Sequence, residues 1–159
     1  MSDFGETEYK EVVVLAIHML NVDELLFEMN WAIEGRKYQF FIAECVEILQ
    51  GVRGLLDIVV YNGSVCGIYS VLEDMDVLQK IGEDIREGVC WEIDRIKDRD
   101  WTLPIYGVGI AVGTAYKINV RKYGQRSDIE MWLGNVLKRA DVMAQMSICD
   151  GRGKVFVEK

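Results

Sequence analysis

One histidine, His18, four cysteines and a few charged clusters are the groups of this chain with the means to do chemistry. A lone imidazole cannot build a two- or three-histidine metal site. His18 directly follows the apolar run Val12–Ile17, so it reads as a structural group at a strand end, with contact to a nucleotide or weak metal binding as its functional alternative. Cys45, Cys66, Cys90 and Cys149 lack paired metal-ligand spacing and read as free thiols in a reducing compartment. Asp23 and Glu24 follow Asn21 at an expected helix start, where carboxylates complement the helix dipole. With Asp57 they are the carboxylates from which a rearranged metal site could be drawn. The loop Gly51–Gly54, with Arg53 between its glycines, could face phosphate, but it leads into a strand rather than the helix N-terminus that a phosphate cradle uses. Arg121, Lys122 and Arg126 form a local basic cluster, read either as a solvated loop or as a contact for the phosphates of one small nucleotide.

The elements that must position these groups fit in one domain. A chain of 159 residues, half of them hydrophobic and with one proline, can bury a sizeable core, expected here to span about residues 12–157 of a single domain 1–159. A net charge of −8 and the absence of a basic stripe make duplex nucleic acid a poor partner. The N-terminus Met1-Ser2-Asp3-Phe4-Gly5-Glu6 is acidic, and no apolar run approaches the ~18 residues of a membrane span. A cytoplasmic protein without membrane attachment is the expectation.

Val12–Ile17 is short, continuous and β-branched, the pattern of a central strand covered on both faces. Asn21, with Glu24 in capping-box spacing, predicts a helix with Leu25, Leu26 and Met29 on its apolar face, and a second helix is expected over Tyr38–Leu49. Leu55–Tyr61 and Val65–Ser70 read as strands joined by Asn62-Gly63, the pair suited to a type I′ turn. The stripe Leu78, Ile81, Ile85, Val89, Ile93 and Ile96 predicts a long amphipathic helix over Val77–Ile96. Tyr106–Thr114 reads as a buried strand and Lys117–Arg126 as a polar excursion beyond it. Ser127, with Glu130 in capping-box spacing, is expected to open a helix to about Met146, packed through Leu133, Val136, Leu137, Ala140 and Met143. A turn at Asp150-Gly151-Arg152-Gly153 then leads to a last strand, Lys154–Val157. This order is close to the split βαβ arrangement of ferredoxin-like folds, an α/β (α+β) class with helices packed on one face of a mostly antiparallel sheet. Trp31, Trp91, Trp101 and Trp132 fall at element ends or outward positions, where exposed they favour self-association.

Three stretches carry a family resemblance. Val108-Gly109-Ile110-Ala111-Val112-Gly113 is similar to a strand motif h-G-I-x-h-G, where h is apolar. Gly134-Asn135-Val136-Leu137-Lys138-Arg139-Ala140 resembles a Gly-Asp-x-V-N-x-A helix, and Gly54 to Tyr69 a glycine-rich entry, strand, hairpin and strand. In this order they resemble the class III adenylate/guanylate (nucleotidyl) cyclase catalytic domain. The resemblance implies a βαββαβ core, head-to-tail homodimers and two divalent ions held by an aspartate ending strand one and another in the hairpin. Here those positions are His18 and Gly63 or, one residue on, Ser64, while the family's asparagine and arginine align with Lys138 and Val142. Hard cations of the magnesium class need carboxylate oxygens, so the resemblance implies a degenerate site with no confident catalytic residue and no metal ligand.

By that resemblance a nucleoside triphosphate or cyclic nucleotide would lie against His18, Asn62, Gly63, Ser64 and the partner subunit's Lys138. A catalytically degenerate, homodimeric cyclase-like module that binds nucleotide or protein is the leading expectation. One alternative is an active cyclase or polymerase with a rearranged Mg or Mn site. Another is a roadblock- or longin-like adaptor, suggested by Gly51 to Ser70.

Overall fold

The computed structural model describes residues 7–20, 31–61, 63–70, 80, 82–84, 86–88, 105–122, 125–149 and 156–157. Strand β1 runs Thr7–Met19, helix α1 Trp31–Gln50, β2 Leu55–Tyr61, β3 Ser64–Ser70, β4 Tyr106–Lys122, β5 Gln125–Leu133 and helix α2 Asn135–Met146. Two short strands, β6 Ile148–Cys149 and β7 Phe156–Val157, complete the order. The sheet reads β2-β3-β1-β4-β5 with antiparallel neighbours, while β6 and β7 both pair with β4, β7 in parallel.

β1 is the central strand that its β-branched run predicts, and its alternating side chains feed two cores. Val13, Leu15, Ile17 and Met19 pack with Phe41, Cys45 and Leu49 of α1, whereas Val12, Val14 and Ala16 pack with Val136, Ala140 and Ala144 of α2. The two helices therefore cover opposite faces of the sheet. Residues 80, 82–84 and 86–88 are helical and lie on the α1 side: Gly88 adjoins Ile48, and the Tyr106 hydroxyl donates to the Arg86 carbonyl. The one-face arrangement expected of the helices thus holds for this pair, and α2 is the departure from it. Tyr69 fastens α1 to the sheet by donating its buried hydroxyl to the Leu49 carbonyl at 2.7 Å.

The β2–β3 hairpin forms as the sequence predicts. Tyr61 pairs with Ser64 across a two-residue connection, and Gly63 takes the positive φ (85°) that such a turn requires; Asn62 itself lies outside the described residues. So do Asn21, Asp23 and Glu24, Trp91 and Trp101, Cys90 and the turn at 150–153.

The helix expected to start at Ser127 starts eight residues later, because 125–133 is strand β5. Its amides and carbonyls are taken by β4, with Ile118 opposite Met131 and Asn119 opposite Glu130. Alternation of Ile129, Met131 and Leu133 with intervening residues suits that pairing better than a helical period, and all three are exposed. Gly134, at φ 139°, separates strand from helix without a side-chain cap. The polar stretch expected beyond Thr114 is likewise, in its described residues 117–122 and 125–126, the far end of the β4–β5 ladder, with Arg121 opposite Arg126.

What seats α2 is a track of glycines on β4. A Cβ at Gly107 would fall on the carbonyl oxygens of Ala144 and Ser147, and one at Gly109 on the Ala144 nitrogen and Ala140 oxygen. Both obstacles are helix backbone, which cannot rotate away. Gly109→Ala is therefore expected to destabilise the protein by about 1–3 kcal/mol, the usual cost of overpacking a core position. A urea midpoint within experimental error of the parent would contradict this close approach.

Candidate functional site

One row before the end of the β1–β4 ladder, Ser64 of β3, His18 of β1 and Gly107 of β4 lie side by side. His18 shares the face of Val12, Val14 and Ala16, on which α2 lies. Since Gly107 admits the end of α2, the preceding turn of that helix carries Asp141 to the imidazole. Asp141 Oδ1 lies 2.9 Å from His18 Nδ1 and accepts from Ser64 Oγ at 2.6 Å, while His18 Nδ1 and Ser64 Oγ are 2.7 Å apart. Gln145 Nε2, one turn on, donates to the other carboxylate oxygen at 2.9 Å. The His18 and Asp141 side chains are 20% and 14% exposed, so the cluster sits at the rim of the core.

Proton placement follows from the acceptor. A carboxylate only accepts, and the serine hydroxyl already donates to it, so we assign the Nδ1 proton to His18, directed at Asp141 Oδ1 and Ser64 Oγ. This is not a nucleophilic triad. There the imidazole takes the serine proton on one nitrogen and meets the carboxylate with the other; here one nitrogen faces both partners and the serine proton points to Asp141. Asp141 is already hydrogen-bonded on both oxygens, by His18 and Ser64 on one and by Gln145 on the other. Among the described residues no group of three His, Cys, Asp or Glu side chains gathers as a metal shell would need.

The hairpin adds two acids to this edge. Burial foremost, then the Asp141 charge, pushes the Cys66 thiol up to about 12, with Tyr61 opposing. Burial, then Cys66 and Asp141, raises the Tyr61 phenol. On the other face, burial and the Glu44 carboxylate raise Cys45, and burial raises Tyr69.

Of the residues expected at the site, His18 and Ser64 meet directly. Gly63 adjoins them through its backbone, its carbonyl accepting from Met19 N–H at 2.6 Å. Lys138 and Val142 flank Asp141 on α2 but face outward, where with Arg139 and Met143 they line an open groove of about 250 Å³. Arg139 turns inward across Gly113 and donates from Nη2 to the Val112 carbonyl at 3.2 Å. Asp141 itself was not singled out by sequence reasoning. Its one signal is position: it follows buried Ala140 and stands four residues after Leu137, on the flank of the apolar stripe.

Asp57 and Trp132 also differ from expectation. Asp57, named above as a carboxylate for a rearranged metal site, instead accepts from its neighbour Ile58 N–H and from Trp132 Nε1, both at 2.8 Å. Trp132, read as an outward aromatic, packs against the α2-side core. β2 and β5 are opposite ends of the strand order, so this bond shows how strongly the sheet curls.

No family model matches the sequence, and no curated protein matches it. Solved structures do. The chain is similar to the guanylyl cyclase Cya2 (TM-score 0.71, 10% identity, 96% of this chain and 76% of that one). It is also similar to the adenylyl cyclase CyaB from P. aeruginosa (TM-score 0.67, 13% identity, 87% and 74%). A third likeness is to the guanylate cyclase domain of RhGC from Catenaria anguillulae in complex with GTP (TM-score 0.63, 12% identity, 95% and 79%). The fold is that of the adenylyl and guanylyl cyclase catalytic domains, as the resemblance of the β4 and α2 motifs implied.

The raised acids predict a pH dependence. Each is held neutral in the folded chain, which therefore binds more protons than the unfolded chain under alkaline conditions. Their stabilising contribution is complete below the ordinary thiol value of 9.0 and is lost as pH climbs towards the Cys66 value of about 12. Urea midpoints are expected to fall steadily between about pH 9 and 11.5, and Cys45 and Cys66 to resist thiol reagents near pH 8 until denaturant is added. A flat alkaline profile with instant labelling of both thiols would contradict their burial.

Proposed function

We propose that the chain acts as a catalytically silent nucleotidyl cyclase-like module that dimerises and binds a nucleotide phosphate without turning it over. The observation that carries this reading is the occupied seat at the end of β1. Where the resemblance expects a metal carboxylate there is His18, and the carboxylate nearest it, Asp141, already receives hydrogen bonds from His18, Ser64 and Gln145. Two-metal phosphoryl transfer draws its largest electrostatic contribution from ions bridging attacking and leaving oxygens. A carboxylate that already accepts three hydrogen bonds, two of them on one oxygen, offers such ions less than a free one.

Binding without turnover is supported by the outward groove of α2. Lys138 and Val142 line it side by side, a cation next to an apolar surface, which suits a phosphate attached to a base. Solved relatives of this fold include a dimeric guanylyl cyclase domain and domains in complex with GTP and with ATPαS. No helix of the described residues is long and apolar enough to cross a membrane, in keeping with a module that works in water. Exposed Ile129, Met131 and Leu133 on one face of β5, with Tyr116 opposite Leu133, give the homodimer a surface to bury.

Purine and pyrimidine triphosphates and cyclic nucleotides, screened by thermal shift with and without manganese, test the reading, since a ligand bound only by the folded chain raises its apparent stability. At least one nucleotide is expected to raise Tm without manganese, and Lys138→Glu to weaken it tenfold or more with the fold intact. Cyclic product in the same tubes would return the chain to the active enzymes with a rearranged Mg or Mn site. No shift with any nucleotide would favour a protein-binding role instead. Sedimentation at tens of micromolar is expected to show a dimer; a single 18.2 kDa species would remove that part of the proposal.

A further inference from the structure

The donors His18 Nδ1–H and Ser64 Oγ–H belong to a directly opposed pair on adjacent strands and converge on one oxygen, at 2.9 and 2.6 Å. Two rigidly placed donors aimed at a single anionic oxygen make an oxyanion seat, and charge-assisted bonds of this length are the strong kind. Ordinarily such a seat takes phosphate or carboxylate from solution. Here its occupant is tethered: Asp141 is delivered by α2 and steadied from behind by Gln145. We infer that His18 and Ser64 form an oxyanion-binding seat that Asp141 holds shut, so that a phosphate group enters it only when the carboxylate withdraws.

This rests on the cyclase-like nucleotide reading and adds its regulation. Three observations carry it. Asp141 is the carboxylate that the described contacts place on both His18 and Ser64, while the Tyr61 phenol also hydrogen-bonds Ser64, and the Asp141 charge reaches Tyr61 and Cys66 on the same edge. The cluster stands at the rim, with the His18 side chain 20% exposed, so a small anion can reach it once the carboxylate leaves. The helix that carries Asp141 also carries Lys138, three residues earlier, at the outward groove. Pulling Asp141 away while a phosphate arrives thus exchanges one anion for another on the same two donors.

Inorganic phosphate is the probe. His18 is the sole histidine, so its ring gives one isolated set of NMR signals. In the parent these signals are expected to stay within line width up to tens of millimolar phosphate. In Asp141→Asn, which keeps the side-chain volume and removes the charge, they are expected to move with saturation at least tenfold tighter. Adding Ser64→Ala to that variant is expected to reverse most of the gain. Should Asp141→Asn prove unfolded by circular dichroism, Asp141→Ala with Gln145 retained replaces it. The inference is overturned if a folded Asp141 variant shows no phosphate response at His18, or if the parent responds equally well. The nucleotide reading fails separately, when no nucleotide stabilises the parent. Nucleotide binding to the parent with His18 signals unmoved, and a silent Asp141→Asn, would retain that reading and discard the seat.

Discussion

The site depends on a contact with no side chain in it: the backbone of α2 resting on Gly107 and Gly109 of β4. Only hydrogen at these positions lets a helix descend far enough for its carbonyls to touch the strand. Two consequences follow from that depth. Val136, Ala140 and Ala144 reach the core as small residues, since larger ones have no room between helix and sheet. Asp141 arrives at the end of β1, close enough for direct hydrogen bonds to His18 and Ser64. A helix riding one methyl group higher would leave Asp141 in water and the imidazole without its partner.

Much of the fold was legible because local rules and tertiary demands agreed there. Val12–Ile17 reads as a strand buried on both faces, and each face has its own helix. Asn62-Gly63 reads as a two-residue hairpin turn, and Tyr61 indeed faces Ser64 across it. Where the reading failed, two local signals competed. Ser127 and Glu130 have capping-box spacing, yet the backbone there pairs with β4, and a long-range ladder outweighed a one-turn cap worth about 1 kcal/mol. The helix therefore waits for Gly134, whose positive φ an L side chain rarely adopts.

The candidate site was half legible for a related reason. Strand positions could be placed by motif, so His18 and Ser64 were found. Asp141 could not, because its role depends on the height and rotation of a helix whose start was misplaced. Asp57 shows the same limit: its indole partner sits at the opposite end of the strand order, and only the curl of the sheet joins them. Bulges between Tyr9 and Val12, Leu55 and Asp57, and Asn119 and Arg121 accompany that curl, and none carries a plain sequence mark.

Scaffold and site are therefore under different constraints. The scaffold needs glycines on β4, a β-branched β1 and small residues on the inner face of α2, all within strand and helix interiors. The divalent-ion positions that the family resemblance implies lie at the strand end and hairpin tip, where a side chain touches little of the core. Replacing a carboxylate there by His18 or Gly63 costs the fold little, and removing two negative charges from one rim relieves their mutual repulsion. An imidazole at that rim then needs an acceptor, and the helix already passing overhead supplies Asp141. The carboxylate at this rim comes from the helix, so its position is coupled to α2 rather than to the sheet. It is thus set by the seating of α2 on β4, whereas the positions named by the resemblance are set by the sheet alone.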